Sequence, residues 1–144
     1  MSVVVSTISR MTITSHDIPG YPPIAEAFAH AASAPAGRLV LLSGQTGADA
    51  SGSLAEGLSA QVEQALVNVG LAVEAAGGAA SDVVRLRFYV PGWDPSKIEE
   101  FMAGGAAALA RLPGLPRTAV TVIGVQSLFT PDMLVEVEAE AVVA

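Results

Sequence analysis

Cysteine is absent from this 144-residue chain, and histidine occurs only at His16 and His30. Without cysteine the chain has no disulfides, no thiolate metal sites and no cysteine nucleophile. Two histidines are too few for a typical structural zinc site that lacks cysteine ligands, so we expect no metal. No pattern places a histidine beside a serine and an acidic residue, so a Ser-His-Asp triad is not indicated. We expect His16 to lie in a solvated loop.

Basic residues are scarce as well. Seven lysines and arginines stand against 14 acidic residues, which gives a net charge of −7. A nucleic-acid-binding protein usually needs a dense basic face to displace counterions from the phosphates. Here the basic residues are spread along the chain, and only Arg85 and Arg87 alternate on one predicted strand. We therefore expect no nucleic-acid partner.

Long hydrophobic runs are missing too. No apolar stretch reaches the ~20 residues that a membrane-spanning helix requires. The apolar run near the start, residues 3–5, is too short for a signal peptide and has no basic leader. The sequence therefore predicts a cytoplasmic protein without a membrane partner.

Aromatic residues make up only 5% of the chain, whereas hydrophobic residues make up 51%. Most of the apolar residues are Ala, Val and Leu, whose small side chains favour tightly packed strands and helices. A chain of this length matches one compact domain that buries roughly two thirds of its unfolded surface. We expect a single domain over residues 1–144, with residues 1–10 as an extra N-terminal segment.

Two segments have a helical pattern. Between residues 58 and 76, apolar side chains recur at three- and four-residue spacing, and Gly77-Gly78 ends the predicted helix. A second helix is predicted over residues 96–110. Gly104 and Gly105 lower its intrinsic stability by roughly 1 kcal/mol each. We expect this second helix to need close packing against a sheet.

Five segments have strand patterns: residues 11–15, 38–42, 83–90, 117–125 and 133–142. The 38–42 run is continuously apolar, which predicts a buried strand that ends at Ser43-Gly44 and opens into a loop. The order is strand, strand, helix, strand, helix, strand, strand. This order predicts one α+β domain in which a mixed sheet is covered on one side by two helices.

Four short motifs follow one another in a defined order between residues 38 and 142. They are Leu42-Ser43-Gly44-Gln45, Glu74-Ala75-Ala76-Gly77, Pro116-Arg117-Thr118-Ala119-Val120 and Val135-Glu136-Val137-Glu138-Ala139. Each motif is weak alone, but the ordered set resembles the RidA/YjgF family, whose members are often labelled endoribonuclease L-PSP.

The resemblance implies a chorismate-mutase-like fold that assembles as a homotrimer with clefts between neighbouring subunits. Deaminating members of the family hydrolyse reactive 2-imino or enamino acids to 2-oxo acids and ammonia, without a metal or an organic cofactor. The implied partners are therefore a small carboxylate-bearing substrate and further copies of the same chain.

Arg117 is the candidate for carboxylate recognition. It follows two nearby prolines and directly precedes a predicted strand, so its backbone is held and its side chain can be aimed. A guanidinium is a planar fork that matches a carboxylate at two points and stays charged at every working pH. A surface arginine in an ordinary salt bridge is the alternative. The motif around Arg117 favours carboxylate recognition.

Glu136, Glu138 and Glu140 share one face of the last predicted strand. Successive members are about 6.6 Å apart, too far for all three to bind one ion directly. A solvated face, or pairing with Arg85 and Arg87 on another strand, explains Glu138 and Glu140. The resemblance aligns Glu136 with the site carboxylate of the family, where it would orient or activate the water that attacks the imine carbon.

Five other residues belong to the predicted cleft or adjoin it. Ser43 can hydrogen-bond a substrate and Gly44 allows close approach to the backbone, although Ser-Gly is also ordinary turn material. Phe28 stands where deaminating members commonly carry tyrosine, and Met102 where asparagine is usual. Both departures make the cleft more apolar, which predicts a bulkier or less polar substrate, or an absence of catalysis. His30, close to Phe28, is expected to make structural or interface contacts.

The leading hypothesis is therefore an imine/enamine deaminase. Arg117 would hold the carboxylate, Glu136 would handle the water, and Ser43 and Gly44 would shape the cleft, with Phe28 as an apolar wall. The alternative is a non-catalytic protein that sequesters a small carboxylic acid with the same arginine. A third hypothesis, ribonuclease activity, is disfavoured by the acidic charge and by the lack of a histidine pair.

Overall fold

The structure is a computed structural model that describes residues 12–22 and 28–144; Met11 and the expected extra segment, residues 1–10, lie outside this part. The strands are β1 (Thr14–His16), β2 (Phe28–Ala29), β3 (Ala31–Ser33), β4 (Arg38–Thr46), β5 (Val83–Pro91), β6 (Thr118–Val125) and β7 (Glu136–Val143). The α-helices are α1 (Leu58–Ala75) and α2 (Ile98–Arg111), and short 3-10 turns cover Ala80–Asp82 and Pro95–Lys97.

The main sheet has five strands in the order β2-β6-β5-β7-β4. Strands β2, β6 and β5 run parallel to one another, and β7 is antiparallel to both β5 and β4. Strands β1 and β3 form a separate antiparallel pair. The two helices pack on one side of the main sheet, which confirms the predicted α+β architecture. No helix in the described part of the chain is both long and apolar enough to cross a membrane.

The core lies between the helices and the sheet. The apolar stripe predicted for α1 is buried, with Val62, Val69 and Val73 no more than 1% exposed. Alternate residues of β5 and β7 meet this stripe, because successive side chains of a strand point to opposite faces. On α2, the Phe101 ring packs edge-on against Phe88, with ring centroids 5.0 Å apart.

Helix α2 meets α1 at Gly104, which differs from the expected packing of its small residues against the sheet. A Cβ placed on Gly104 would overlap the Ser59 carbonyl oxygen and lie 2.7 Å from Val62 Cβ, so the two helix backbones approach closely there. Glu100 of α2 also caps α1, because its Oε1 accepts a hydrogen bond from the Leu58 backbone N–H at 3.0 Å. The small residues of α2 serve helix–helix contact.

Strand β4 differs from its prediction in length and in burial. It continues to Thr46, so Ser43 and Gly44 lie inside a strand, at an irregularity in its pairing with β7, and do not open a loop. Because β4 is an edge strand and the helices cover only one face, Leu39 and Leu41 remain 60% and 71% exposed. The expected fully buried strand is therefore wrong for the single chain.

Strands β2 and β3 have no counterpart in the sequence prediction. They contain two and three residues and are mostly alanine, which lacks a strand preference of its own. Strand β2 forms because Phe28 and Ala29 pair with Thr118 and Ala119 of β6. This pairing brings residue 28 beside the segment that contains Arg117.

Candidate functional site

The structure divides the predicted site residues into two groups. The β4–β7 group consists of Ser43, Gly44 and Glu136, which lie on two paired strands. The β2–β6 group lies at the opposite edge of the sheet; it consists of Arg117, just before β6, Phe28 on β2 and Met102 on α2.

The two groups also lie at opposite ends of the strands. Tyr89 of β5 pairs with Glu136, whereas Arg85 pairs with Ala119, two residues after Arg117. Arg117 is therefore level with Val83, six residues along β5 from the level of Glu136. Six residues of a strand span about 20 Å. A small ligand held by Arg117 cannot reach Glu136 of the same chain.

In the β4–β7 group, the Glu136 side chain lies directly against the backbone of Gly44. A Cβ on Gly44 would overlap the Glu136 carboxylate, with Cδ only 2.6 Å away. Within the described residues Glu136 makes no ion pair, whereas Glu138 and Glu140 do. The glycine thus leaves room for a carboxylate that none of the described residues neutralises by an ion pair.

Asn68 of α1 fixes the end of β4 next to this group. Its side-chain amide donates hydrogen bonds to the carbonyl oxygens of Thr46 at 2.9 Å and Ala48 at 2.7 Å. These bonds satisfy backbone acceptors at the point where the strand leaves the sheet. The amide therefore holds the strand that carries Ser43 and Gly44 in place.

In the β2–β6 group, Arg117 holds a carboxylate at two points. Its Nη1 donates to Asp17 Oδ2 at 2.9 Å and its Nη2 donates to Asp17 Oδ1 at 2.8 Å. The hydrogen bond from Arg117, followed by that from His30, holds the pKa of the Asp17 carboxyl well below its usual range. The same bond raises the pKa of Arg117. This is a salt bridge within the chain, the alternative stated for Arg117, and its two-point geometry is also the one by which a guanidinium binds a ligand carboxylate.

Two neighbours hold Asp17 and Arg117 together. The ring Nδ1 and the backbone N of His30 lie 3.1 and 3.4 Å from Asp17 Oδ1, so His30 makes structural contacts as expected. The hydroxyl of Ser15 donates to the Arg117 carbonyl oxygen. His16 does not lie in a loop as predicted: it belongs to β1, and its Nε2 is 2.8 Å from the Ser33 hydroxyl.

Phe28 and Met102 come together in a cavity of about 120 Å³ between α2 and the sheet. The cavity lining is almost entirely apolar and includes Phe101, Leu109 and Val120, but not Arg117. Both residues contribute apolar surface to this cavity. The structure does not place them in contact with the Arg117 guanidinium.

The face of the sheet away from the helices is called here the open face; it carries Leu39, Leu41, Arg85, Arg87, Tyr89, Glu136, Glu138 and Glu140. Arg87 lies 3.2 Å from Glu138, and Arg85 lies 4.0 Å from Glu140, which is one of the two alternatives stated for these glutamates. The Tyr89 hydroxyl also donates to Glu138, and this bond raises the pKa of Tyr89. The basic residues of this face are therefore paired with acids.

Across residues 12–22 and 28–144, no three histidine, aspartate or glutamate side chains lie close enough to hold a metal ion together. The residue that sequence reasoning missed is Asp17. It is separated from Arg117 by 100 positions, and no local pattern links them. Only the pairing of β1 with β3 brings the segment after β1 to the start of β6.

Comparison with known proteins agrees with the fold. Residues 21–143 match the family model described as endoribonuclease L-PSP. The structure of YyfB from Yersinia pestis, a protein of unknown function in the conserved Rid family, is 31% identical, has a TM-score of 0.77, and the match covers 92% of this chain and 99% of that one. Rv2704 from Mycobacterium tuberculosis, of the YjgF/YER057c/UK114 family, is 30% identical over 92% and 100% of the two chains, with a TM-score of 0.59.

The YjgF gene product of E. coli is 25% identical over 90% of this chain and 98% of its own, with a TM-score of 0.64. No curated protein matches the chain. The family model spans most of the sequence, and the relatives share both the fold and the order of its elements. The chain belongs to the endoribonuclease L-PSP family, the Rid/YjgF family of these relatives.

Proposed function

We propose that this chain hydrolyses reactive 2-imino or enamino carboxylates to 2-oxo acids and ammonia, in clefts between the subunits of a homotrimer. The observation that carries the proposal is the two-point grip of Arg117 on a carboxylate, at 2.8 and 2.9 Å. An arginine that already holds one carboxylate in this geometry has the shape and the charge to hold the carboxylate of a substrate.

The separation of the two groups supports a site shared between subunits. Arg117 lies at one end and one edge of the sheet, and Glu136 with Gly44 lies at the other end and the other edge. In a closed ring each subunit offers one patch to the neighbour on its left and a different patch to the neighbour on its right. A ring therefore can bring Arg117 of one copy to Glu136 of the next.

The exposed leucines of the open face support assembly as well. Leu39 and Leu41 lie on edge strand β4, 60% and 71% exposed in the single chain. Apolar side chains in such a position gain roughly 25 cal/mol for each Å² that a neighbouring subunit covers. In the proposed ring, a second copy of the chain would cover these leucines.

The proposed chemistry needs one acid–base group and one anchor. Arg117 binds the substrate carboxylate and so fixes the imine carbon in the cleft. Glu136 accepts a proton from water while the water oxygen bonds to that carbon, which forms a tetrahedral amino alcohol. Glu136 gives this proton to the nitrogen, and the hydroxyl proton of the intermediate follows the same route as the carbon–nitrogen bond breaks. Ammonia therefore leaves with both protons of the water, and the carbon keeps the oxygen as the 2-oxo acid. No electron transfer is involved, so the residues need no redox partner.

Ribonuclease activity fits the charges less well. An RNA-binding face needs arginines that are free to replace counterions along the phosphates. Arg85 and Arg87 of the open face are paired with Glu140 and Glu138, and the chain as a whole carries a net charge of −7. Glutamate-paired arginines on an acidic protein are a poor surface for a polyanion.

The test compares hydrolysis of a 2-imino acid, generated in place by an amino acid oxidase, for the parent chain and two variants. We expect Arg117→Lys to lose binding of 2-oxo acids, because lysine keeps the charge but lacks the planar fork. We expect Glu136→Gln to keep binding and lose turnover. Arg111→Lys, which changes an arginine paired with Glu63 on the helices, is the matched control.

Two outcomes would redirect the proposal. Binding that depends on Arg117 without any acceleration of hydrolysis would identify a carboxylate-binding protein, the alternative that the apolar Phe28 and Met102 favour. Turnover that is the same in the parent and in Glu136→Gln would remove this carboxylate from the mechanism.

A further inference from the structure

Asp17 occupies the place on Arg117 that a ligand carboxylate would take. Its two oxygens accept one hydrogen bond each from Nη2 and Nη1, at 2.8 and 2.9 Å. A guanidinium edge that holds one carboxylate at two points cannot hold a second one in the same way. The Nη1 and Nη2 atoms of Arg117 therefore already bind a carboxylate of the same chain.

We propose that Asp17 is an internal competitor for the Arg117 site, which an external carboxylate must displace in order to bind. The inference rests on the proposed function, because it assumes that Arg117 is the carboxylate anchor. The Arg117 and His30 contacts hold the pKa of Asp17 well below its usual range, so its carboxylate is ionised near neutral pH. Protonation of Asp17 therefore does not open the site, and only its movement does.

The segment around Asp17 has the contacts expected of an element that can move. Ile18 and Tyr21 are 47% and 66% exposed, so little apolar surface holds the segment down. Ile13, before β1, is buried, and the backbone pairing of β1 with β3 holds that strand. Beyond β1, polar contacts hold the segment: the Arg117 pair and the His30 contacts, next to the Ser15 bond to the Arg117 carbonyl oxygen. Segments with few buried apolar contacts open at low cost in free energy.

Internal competition also restricts the ligand. A simple acid that offers only a carboxylate replaces the Asp17 contacts with equivalent ones and gains little. A ligand with a second polar group, such as the 2-oxo or 2-imino group of the proposed substrates, adds contacts that Asp17 does not make. The apparent affinity of every ligand falls by the fraction of molecules in which Arg117 is open, so only ligands whose own contacts exceed those of a lone carboxylate bind tightly enough to be measured.

The test is the Asp17→Asn variant, which keeps the shape and removes the charge. Its matched control is Glu63→Gln, which removes a carboxylate from a different arginine pair, Arg111 at 2.9 Å, on the helix layer. By calorimetry with 2-oxobutyrate, we expect Asp17→Asn to bind roughly fivefold more tightly or better than the parent, and Glu63→Gln to bind like the parent. Weaker binding by Asp17→Asn would mean that Asp17 positions Arg117, and would overturn the inference, as would unchanged binding.

A second measurement does not depend on the proposed function. Phenylglyoxal modifies accessible arginine side chains, and mass spectrometry reports the rate at each site. We expect Asp17→Asn to accelerate modification of Arg117 alone, and Glu63→Gln to accelerate modification of Arg111 alone. Equal Arg117 rates in the parent and in Asp17→Asn would overturn the inference. Loss of all carboxylate binding with a faster Arg117 rate would instead contradict the proposed function and leave Asp17 as the occupant of the fork.

Discussion

At the scale of single residues, the β4–β7 group depends on a missing side chain. Gly44 has an ordinary negative φ, so its backbone does not require glycine. Its role is spatial, because the Glu136 carboxylate lies where a Cβ would be. Small residues of this kind determine where a neighbouring charged group can lie.

We predict that Gly44→Ala slows imine hydrolysis about 10- to 100-fold, because the new methyl group moves the carboxylate by an ångström or more from its position. The fold should persist, since the atoms displaced belong to the mobile end of one side chain. Steady-state rates and circular dichroism measure the two effects. In a double-mutant cycle, Gly44→Ala should have no further effect in the Glu136→Gln background. Equal losses in both backgrounds would contradict a role through Glu136.

The Asp17–Arg117 pair gives a pH dependence whose sign follows from the lowered pKa of Asp17. A carboxyl with a depressed folded-state pKa contributes stability above its unfolded pKa of about 3.9, and the contribution is lost as the pH falls towards the folded pKa. We predict that the difference in thermal midpoint between the parent and Asp17→Asn shrinks as the pH falls below about 4. A difference that grew on acidification would contradict this assignment.

At the scale of secondary-structure elements, the helix layer is organised by the close contact between α1 and α2. Gly104 lies against the backbone of α1, whereas the adjacent Gly105 has no heavy atom within 4 Å of a built Cβ. Two neighbouring glycines of one helix therefore have different roles. Glycine is required at the first position and only costs helix stability at the second.

We predict opposite effects for the two alanine substitutions. Gly104→Ala should destabilise the protein by about 1–3 kcal/mol, because its Cβ overlaps the Ser59 carbonyl oxygen and crowds Val62. Gly105→Ala should stabilise it by about 0.5–1 kcal/mol through helix propensity. Urea denaturation measures both. If both variants were destabilised by the same amount, the contact with α1 would not be the cause of the loss of stability in Gly104→Ala.

At the scale of the whole molecule, two features of the single chain bear on the proposed ring. Its open face exposes Leu39 and Leu41, and its two groups of candidate site residues lie about 20 Å apart along the strands. A ring of identical chains would cover the exposed leucines and would bring Arg117 of one chain close to Glu136 of the next. Assembly and function are in this sense one proposal.

We predict that light scattering gives the mass of three chains at micromolar concentration and that Leu41→Asp lowers it. The charge would be buried without a partner in the ring, which is costly. Leu71→Asp is the matched control, because Leu71 is 56% exposed on α1, in the layer that covers the other side of the sheet. A parent chain that scattered as a monomer would contradict the assembly. Dissociation by Leu71→Asp alone would place the interface on the helices.

The sequence by itself determined the helix α1, the order of the longer strands and helices, and the alternation that puts Arg85 with Arg87, and Glu138 with Glu140, on one face of a strand. These features follow from the periodicity of neighbouring residues, which is a local property. The tertiary structure alone decided that Gly104 contacts α1, that Asp17 forms an ion pair with Arg117, and that Arg117 and Glu136 lie at opposite ends of the sheet. A hydrophobic pattern indicates that a face is buried, but it does not indicate which element covers that face. Strand register sets the distance between sites, and it depends on contacts between residues that are distant in the sequence.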